Sequence, residues 1–323
     1  MEQRQQALGV THRRISGDEA GQRLDNYLAR TLRGVPRGLI YRILRRGEVR
    51  VNGSRAAPSC RLAEGDDLRL PPVRVSAGPV TVPSSNLRLV RDLERRVLFE
   101  NPALLVVDKP AGMAAHGGSG IEFGLIEALR ALRPEEAFLE LCHRLDRETS
   151  GCLIVAKRRS ALRHVHEQFR QRAVKKRYLA LVSGRWDRRV RLVEAPLVRN
   201  VLRSGERMVE VDFKNGQPSA TGFEILEPLD GATLLAALPH TGRTHQIRAH
   251  CAYLRHPVGN DAKYGDREFN GRLHELGLGR MFLHAFRIGF ENPEDGRPLK
   301  VEAPLPEELA AVIGALKAGE GRA

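Results

Sequence analysis

The stretch His143-Arg144-Leu145-Asp146-Arg147-Glu148-Thr149-Ser150-Gly151 constrains this chain more than any other. It sets an aspartate between two arginines and runs through Thr-Ser-Gly straight into an apolar strand, Cys152 to Val155. A carboxylate must therefore sit at the edge of a hydrophobic sheet with fixed positive charge on both sides. Such surroundings favour the ionised form, which can act as a nucleophile or a base. An Asp in this position can also cap a helix or pair locally with Arg144 or Arg147.

The 323 residues are enough for one large domain and a small one. Lys and Arg number 53 against 39 Asp and Glu, a net charge of +14, and only eight of the cations are lysines. The guanidinium group holds phosphate through paired hydrogen bonds and stacks on bases. The excess charge implies an anionic partner. It is uneven: residues 1–80 hold 15 Arg against 8 acids, half the excess in a quarter of the chain.

Cys60, Cys142, Cys152 and Cys251 form no C-x-x-C pair, which argues against a zinc ribbon or a redox motif. A zinc site from His240, His245, His250 and His256 fails on spacing, since histidines five apart do not share a helix face. No metal is expected. Met1 to Gln6 is almost wholly polar, and no apolar run approaches the roughly 20 residues that span a bilayer. A cytoplasmic protein that does not use a membrane is the expectation.

Residues 1–14 are mostly polar and expected to be loose. Residues 15–75 read as a small module. Leu24, Tyr27, Leu28 and Leu32 recur at helical spacing, and Gly34 to Pro36 makes a turn. A second helix from Arg37 to Arg46 turns Leu39, Ile40, Ile43 and Leu44 inward and leaves Arg37, Arg42, Arg45 and Arg46 outside, with Gly47 ending it. Short strands follow at Val49 to Val51 and Asp67 to Leu70, with turns at Asn52-Gly53 and Glu64 to Asp66. Residues 76–96, rich in Pro and Ser at their start, read as a linker. Residues 97–315 alternate strands and helices, including a helix from Ser160, expected as its N-cap, to about Arg172. Residues 316–323 are expected as a tail.

Three separated segments resemble one family. His143 to Gly151 matches the HRLDxxTSG active-site wording of the RluA-type pseudouridine synthases, which modify large-subunit ribosomal RNA and some tRNAs. Lys176-Arg177-Tyr178-Leu179-Ala180-Leu181-Val182 matches the segment with the family tyrosine, and Thr241 to His250 resembles its TGRTHQIRxH segment. Lys109-Pro110-Ala111-Gly112 matches a structural motif beneath the pocket. The N-terminal module resembles the S4 RNA-binding domain. The His116-Gly117-Gly118-Ser119-Gly120 wording and the wording of the S4-like module look like those of the C-type branch rather than the D-type, which also carries an S4 module. The C-type resemblance implies several target uridines near the peptidyl-transferase region of 23S rRNA. Glu148 stands where the family often has Asp.

The resemblance implies an α+β fold: a mixed, largely antiparallel sheet flanked by helices, preceded by the S4-like unit. It implies an isomerase that needs no cofactor, because pseudouridine formation breaks C1′–N1, joins C1′ to C5 and releases the C5 proton without redox change. It makes Asp146 the catalytic carboxylate, attacking C1′ or abstracting the 2′ proton. Tyr178 would stack on the uracil and take part at C5, and Arg248 would pair with Asp146. Arg144 would enter the RNA where the target base has left, and Arg243 would contact RNA or support its turn. The residues alone leave other uses open: Tyr178 as an ordinary strand aromatic, Arg144 as a second partner for the carboxylate, the glycines around Ser119 as a plain loop or a phosphate seat. Expected partners are 23S rRNA or a large-subunit precursor particle, with the protein a monomer. Competing readings are a non-catalytic S4-type RNA-binding or ribosome assembly factor, and a D-type or tRNA-directed synthase. A serine hydrolase built on Ser119 lacks a G-x-S-x-G elbow.

Overall fold

In the computed structural model, residues 9–17, 19–32, 35, 37–73, 83–84, 87–117, 122–201 and 207–320 are described. Residues 1–8, most of the linker core (74–82, 85–86) and the loop 118–121 with its phosphate-seat glycines lie outside them, as do Gly34 and Pro36 of the expected turn and the side chain of Arg37. The chain divides into two compact units, Met1–Val82 and Pro83–Ala323.

The first unit contains β1 (Thr11–Arg14), α1 (Leu24–Thr31), α2 (Arg37–Arg45), β2 (Arg50–Val51), β3 (Ser54–Arg55) and β4 (Asp67–Leu70). The strands form one sheet in the order β1-β4-β2-β3. Leu24, Tyr27 and Leu28 from α1 meet Ile40, Ile43 and Leu44 from α2 over Val49, Leu62 and Leu68. Arg23 grips Asp25 through two hydrogen bonds, and the Tyr41 hydroxyl donates to the same carboxylate, so α2 is tied to the start of α1. Asn52 and Gly53 both take positive φ, 50° and 76°, as a two-residue hairpin turn requires. Thr11–Arg14 is a strand, against the expectation of a loose segment. All four residues are exposed, so no apolar alternation announces it. Backbone pairing with β4 and the His12–Asp67 contact hold it.

The second unit contains α3 (Arg88–Arg91), β5 (Val97–Glu100), β6 (Leu104–Lys109), α4 (Leu125–Leu132), β7 (Glu140–Leu141), β8 (Ser150–Ala156), α5 (Arg159–Arg170), β9 (Lys175–Ser183), β10 (Leu192–Glu194), β11 (Leu197–Val201), β12 (Arg207–Val211), β13 (Ala220–Leu229), β14 (Ala232–Pro239), α6 (Gln246–Tyr253), α7 (Arg267–Glu275), β15 (Leu283–Glu291), β16 (Pro298–Glu302) and α8 (Glu307–Glu320). The main sheet runs β10-β13-β14-β9-β15-β8-β6-β5. Only the β15–β8 pair is parallel among its pairings, so the sheet is mixed and largely antiparallel.

Three further expectations are corrected. Residues 88–91 and 94–96 are helical rather than linker, because Val90 and Leu93 are buried against α4. Helix α5 starts at Arg159 with Arg158 at its N-cap, so Ser160 lies inside the first turn and does not cap it. Helix α8 continues to Glu320, since Leu316 packs with Leu309, Val312 and Ile313 on the sheet.

The β8 strand explains the Thr-Ser-Gly wording. All seven of its residues are buried, between β6 on one side and β15 on the other. Gly151 has φ +108°, and a Cβ there would stand 2.4 Å from the Ala285 carbonyl of β15. Only glycine lets the two backbones approach this closely. The strand is thereby anchored one residue past Ser150, and the segment carrying Asp146 leaves the sheet at a defined point. No described helix is long and apolar enough to cross a membrane.

Candidate active site

Because β14, β9, β15 and β8 are consecutive in the sheet, the segment before β8, the start of β9 and the turn after β14 converge on one edge. They enclose a cleft of about 540 Å³ lined by Arg144, Asp146, Lys176, Tyr178, Arg243 and Arg248 among others. Asp146 comes from the pre-β8 segment, Tyr178 from β9, and Arg248 from the first turns of α6.

The Asp146 segment is pinned from below. Lys109, fully buried, donates its three ammonium protons to the carbonyls of Pro110 (2.8 Å), Met113 (2.7 Å) and Arg147 (3.0 Å). Arg147 Nε donates to the Gly112 carbonyl at 2.9 Å. Burial presses the Lys109 amine down to about 7, while only the ammonium form has a proton for every carbonyl. Thr149 N–H closes the loop onto the Asp146 carbonyl. Lys109 and Gly112 thus brace the loop that carries Asp146.

Arg248 is the centre of the ionic arrangement. Its Nε and one terminal nitrogen clasp Asp261 at 2.6 and 2.8 Å, and its other terminal nitrogen reaches Asp146 Oδ2 at 3.2 Å. The Asp261 side chain is fully buried and also accepts from the Lys263 and Tyr264 backbones. The Tyr264 ring lies against the guanidinium, 5.0 Å from centroid to carbon. Burial opposes the charge on Arg248, but the Asp261 bonds and the Asp146 charge outweigh it and raise its pKa. Asp261 is likewise held ionised: burial pushes it up, and the Arg248 bonds more than reverse that. Two of the guanidinium's three arms are locked by Asp261, so the third meets Asp146 in a fixed direction. Asp146 Oδ1 has no hydrogen-bond partner among the described residues, and the side chain is 21% exposed toward the cleft. One carboxylate oxygen is oriented and the other is left open to the cleft.

His245, weighed in the sequence only as a zinc ligand, also lines the cleft. It caps α6 in the left-handed region, φ +52°, a conformation that costs a non-glycine residue about 1–2 kcal/mol. Tyr264 hydroxyl contacts its Nδ1 at 2.9 Å and its ring meets the imidazole edge-on, so the strain is held in place. This sets Nε2 3.9 Å from Asp146 Oδ2. Burial lowers the His245 pKa, with the Asp146 charge opposing and Arg248 reinforcing. Gln246 fixes the preceding turn: its Oε1 accepts from Thr241 hydroxyl and Arg243 N–H, and its Nε2 donates to the Ala220 carbonyl and Thr221 Oγ1 on β13.

Tyr178 is half-buried, packed against the apolar clusters on both sides of the cleft. Burial, and then the Asp146 charge, push its phenol above its ordinary value. At neutral pH it is a neutral phenol, a group suited to stacking on a planar base and to hydrogen bonding. Lys176, two residues earlier on the same strand face, also lines the cleft. Its amine donates to the Thr241 carbonyl at 3.2 Å and burial lowers it to about 8.

Arg144 is exposed at the cleft and has no ion-pair partner among the described residues, so it is not a second clasp on Asp146. Arg243 is exposed and donates through Nε to the Pro218 carbonyl at 3.3 Å. Within the first unit, Arg42 and Arg45 lie exposed on α2 and Arg46 lies exposed just past its end, approaching Glu48 at 3.7 Å. The four histidines weighed for zinc part company. His250 is buried between Thr221 and the Ala195 carbonyl, His256 contacts the Ser183 carbonyl, and His240 is exposed at the cleft. No metal-binding cluster occurs among the described residues.

An arginine-clamped aspartate and an aromatic line one cation-rich cleft on a mixed sheet, an arrangement suited to an anionic, planar substrate. Residues 103–253 match the RNA pseudouridylate synthase family model and residues 22–68 match the S4 domain model. The chain is 55% identical to ribosomal large subunit pseudouridine synthase C of Pasteurella multocida, covering 94% of this chain and 93% of that one. It is 52% identical to the protein of that name from Escherichia coli, covering 94% and 95%. The solved structure of human RNA pseudouridylate synthase domain containing 4 superposes with a TM-score of 0.57 at 26% identity, over 71% of this chain and 95% of that one. The chain belongs to the RluA-type pseudouridine synthase family and carries an S4 domain at its N-terminal side.

Proposed function

We propose that this enzyme isomerises several uridines of 23S ribosomal RNA to pseudouridine, using Asp146 as its catalytic carboxylate. The observation that carries the chemistry is the split environment of Asp146: Oδ2 held by Arg248, Oδ1 open to the cleft. The substrate follows from the relatives at 52–55% identity, whose names specify the large subunit. In this reading the flipped uracil rests on Tyr178 and Oδ1 acts at the sugar. The C1′–N1 bond breaks, the uracil turns within the cleft, C5 bonds C1′, and the C5 proton leaves as N1 regains one. No electrons are transferred, so no redox cofactor is required. Arg144, exposed at the cleft rim, fills the gap in the RNA stack, since a planar guanidinium stacks well.

The S4 domain supplies phosphate contacts through Arg37, Arg42, Arg45 and Arg46. Arg243 adds a contact at the cleft. The enzyme works as a monomer in the cytoplasm, on free rRNA or a precursor particle.

The test is to map pseudouridines in 23S rRNA from cells lacking the gene, after incubation with wild-type protein or Asp146→Asn. New sites with wild type alone are expected, with a loss of at least about 10²–10⁴-fold in the variant. Equal modification by both proteins would remove Asp146 from the mechanism. No new site on free RNA or on particles would overturn the substrate.

A further inference from the structure

We propose that Phe213 and Tyr253 form a second RNA subsite, a stacking platform for an unpaired base of the substrate outside the catalytic cleft. The proposal rests on the reading that the substrate is RNA, and it adds a place where that RNA is held. Both rings are turned to solvent, 68% and 50% exposed, yet their centroids are only 6.4 Å apart at 59°. A base can lie on the face of one ring and against the edge of the other. Aromatic side chains make up only 5% of this chain, so two converging on one exposed spot is a costly use of them.

The loop that presents Phe213 is built rather than slack. Asp212 Oδ1 accepts from the Lys214 and Asn215 N–H groups at 2.7 and 3.0 Å, and its Oδ2 accepts from Asn215 Nδ2 at 3.0 Å. Gly216 N–H returns to the Asp212 carbonyl, and a Cβ at Gly216 would stand 2.3 Å from that oxygen. Phe213 is therefore held outward in advance of binding. Tyr253 is the last residue of α6, about 7.5 Å along the helix axis from Arg248.

The same segment is continuous with the active site. It runs on to Pro218, whose carbonyl receives Arg243, and to Ala220, whose N–H reaches Thr241. An RNA strand leaving the cleft past Arg243 follows this ridge to the rings. Charge favours it: Lys214, next to Phe213, and Arg255, two residues past Tyr253, are exposed and without a carboxylate partner among the described residues. No other large apolar side chain of segments 207–220 and 246–256 is exposed, so the patch lacks the apolar surround of a protein-binding core.

The test combines binding and turnover with full-length protein. Single-stranded RNA carrying the fluorescent base 2-aminopurine is titrated with wild type, Phe213→Ala, Tyr253→Ala and the double variant. Stacking should quench the fluorescence in wild type, and the double variant should lose that component with affinity weakened between about fivefold and 150-fold. On 23S rRNA the double variant should raise KM with kcat and Tm unchanged, and Phe213→Tyr should behave as wild type. The two single variants should not add, because both rings serve one base. Unchanged quenching and KM in the double variant would overturn the platform. So would a defect seen only on precursor particles, which would assign the patch to a protein partner. A wild-type protein that binds RNA with ring-dependent quenching but modifies no 23S rRNA would leave the platform standing and overturn the substrate reading.

Discussion

Arg248 and the arginines of α2 are the same residue put to opposite uses. Arg248 is 7% exposed at its side chain and clasped by a fully buried Asp261, and its charge serves to aim a second carboxylate. Arg42 and Arg45 are exposed, without a carboxylate partner among the described residues, and their charge is available to whatever approaches. A buried guanidinium gives direction and an exposed one gives attraction. The first is insensitive to salt, because no ions reach it; the second is screened within about 10 Å at ordinary ionic strength. In the proposed function the two tasks fall to separate units: geometry where a bond is broken, long-range charge where RNA is gathered.

The sharpest way to break this contrast is at Arg248. Arg248→Met should cost about 3–5 kcal/mol of stability, because Asp261 is left buried and ionised with no counter-charge. Turnover should fall with it. Arg248→Met combined with Asp261→Leu should regain much of the stability, since both charges are gone, yet remain inactive because Asp146 has lost its guide. Chemical denaturation and rRNA turnover, measured on both variants, separate the roles. A stable double variant with normal turnover would show that Arg248 serves the fold alone.

The α2 arginines should respond in the other direction. Replacing Arg42, Arg45 and Arg46 together with Gln should leave stability and kcat almost unchanged and raise KM at low salt. Each arginine–phosphate pairing removed should reduce the slope of log affinity against log salt by about 0.7–0.9, so the triple variant should flatten it by roughly 2–3. An unaltered slope would mean that this face does not touch RNA.

The parts of the site that were legible in the sequence are those whose neighbours are local. Asp146 and Arg248 each sit within a short run whose wording has a structural cause, Gly151 for the strand contact and Gln246 for the turn, and Tyr178 lies on the β9 strand. Asp261, Tyr264 and the role of His245 were not legible. Asp261 lies thirteen residues beyond Arg248 in an irregular loop, with no periodicity to mark it, and only the folded chain brings it back onto α6. The fold shows the same division. The apolar periodicity of α1, α2 and β8 announces them, whereas β1 is polar throughout and exists because β4 offers an open edge. Ser160 shows the reverse error, a good capping residue two positions past the N-cap of the helix it was expected to start.

Lys176 sharpens the comparison, because it stands between the two classes: inside the cleft like Arg248, yet without a carboxylate partner among the described residues like Arg42. A lysine whose amine is lowered to about 8 by burial is mostly charged at pH 7 and mostly neutral at pH 9. If that charge meets an RNA phosphate, KM should rise by up to about tenfold across this range, the worth of one charge-assisted hydrogen bond. Tyr178 cannot supply the effect, since its phenol is shifted upward and keeps its proton throughout. Lys176→Arg should abolish the pH dependence while keeping the low KM, and Lys176→Met should abolish it with KM high at every pH. A pH profile unchanged in both variants would place the titrating group elsewhere and leave Lys176 as a prop for the Thr241 turn.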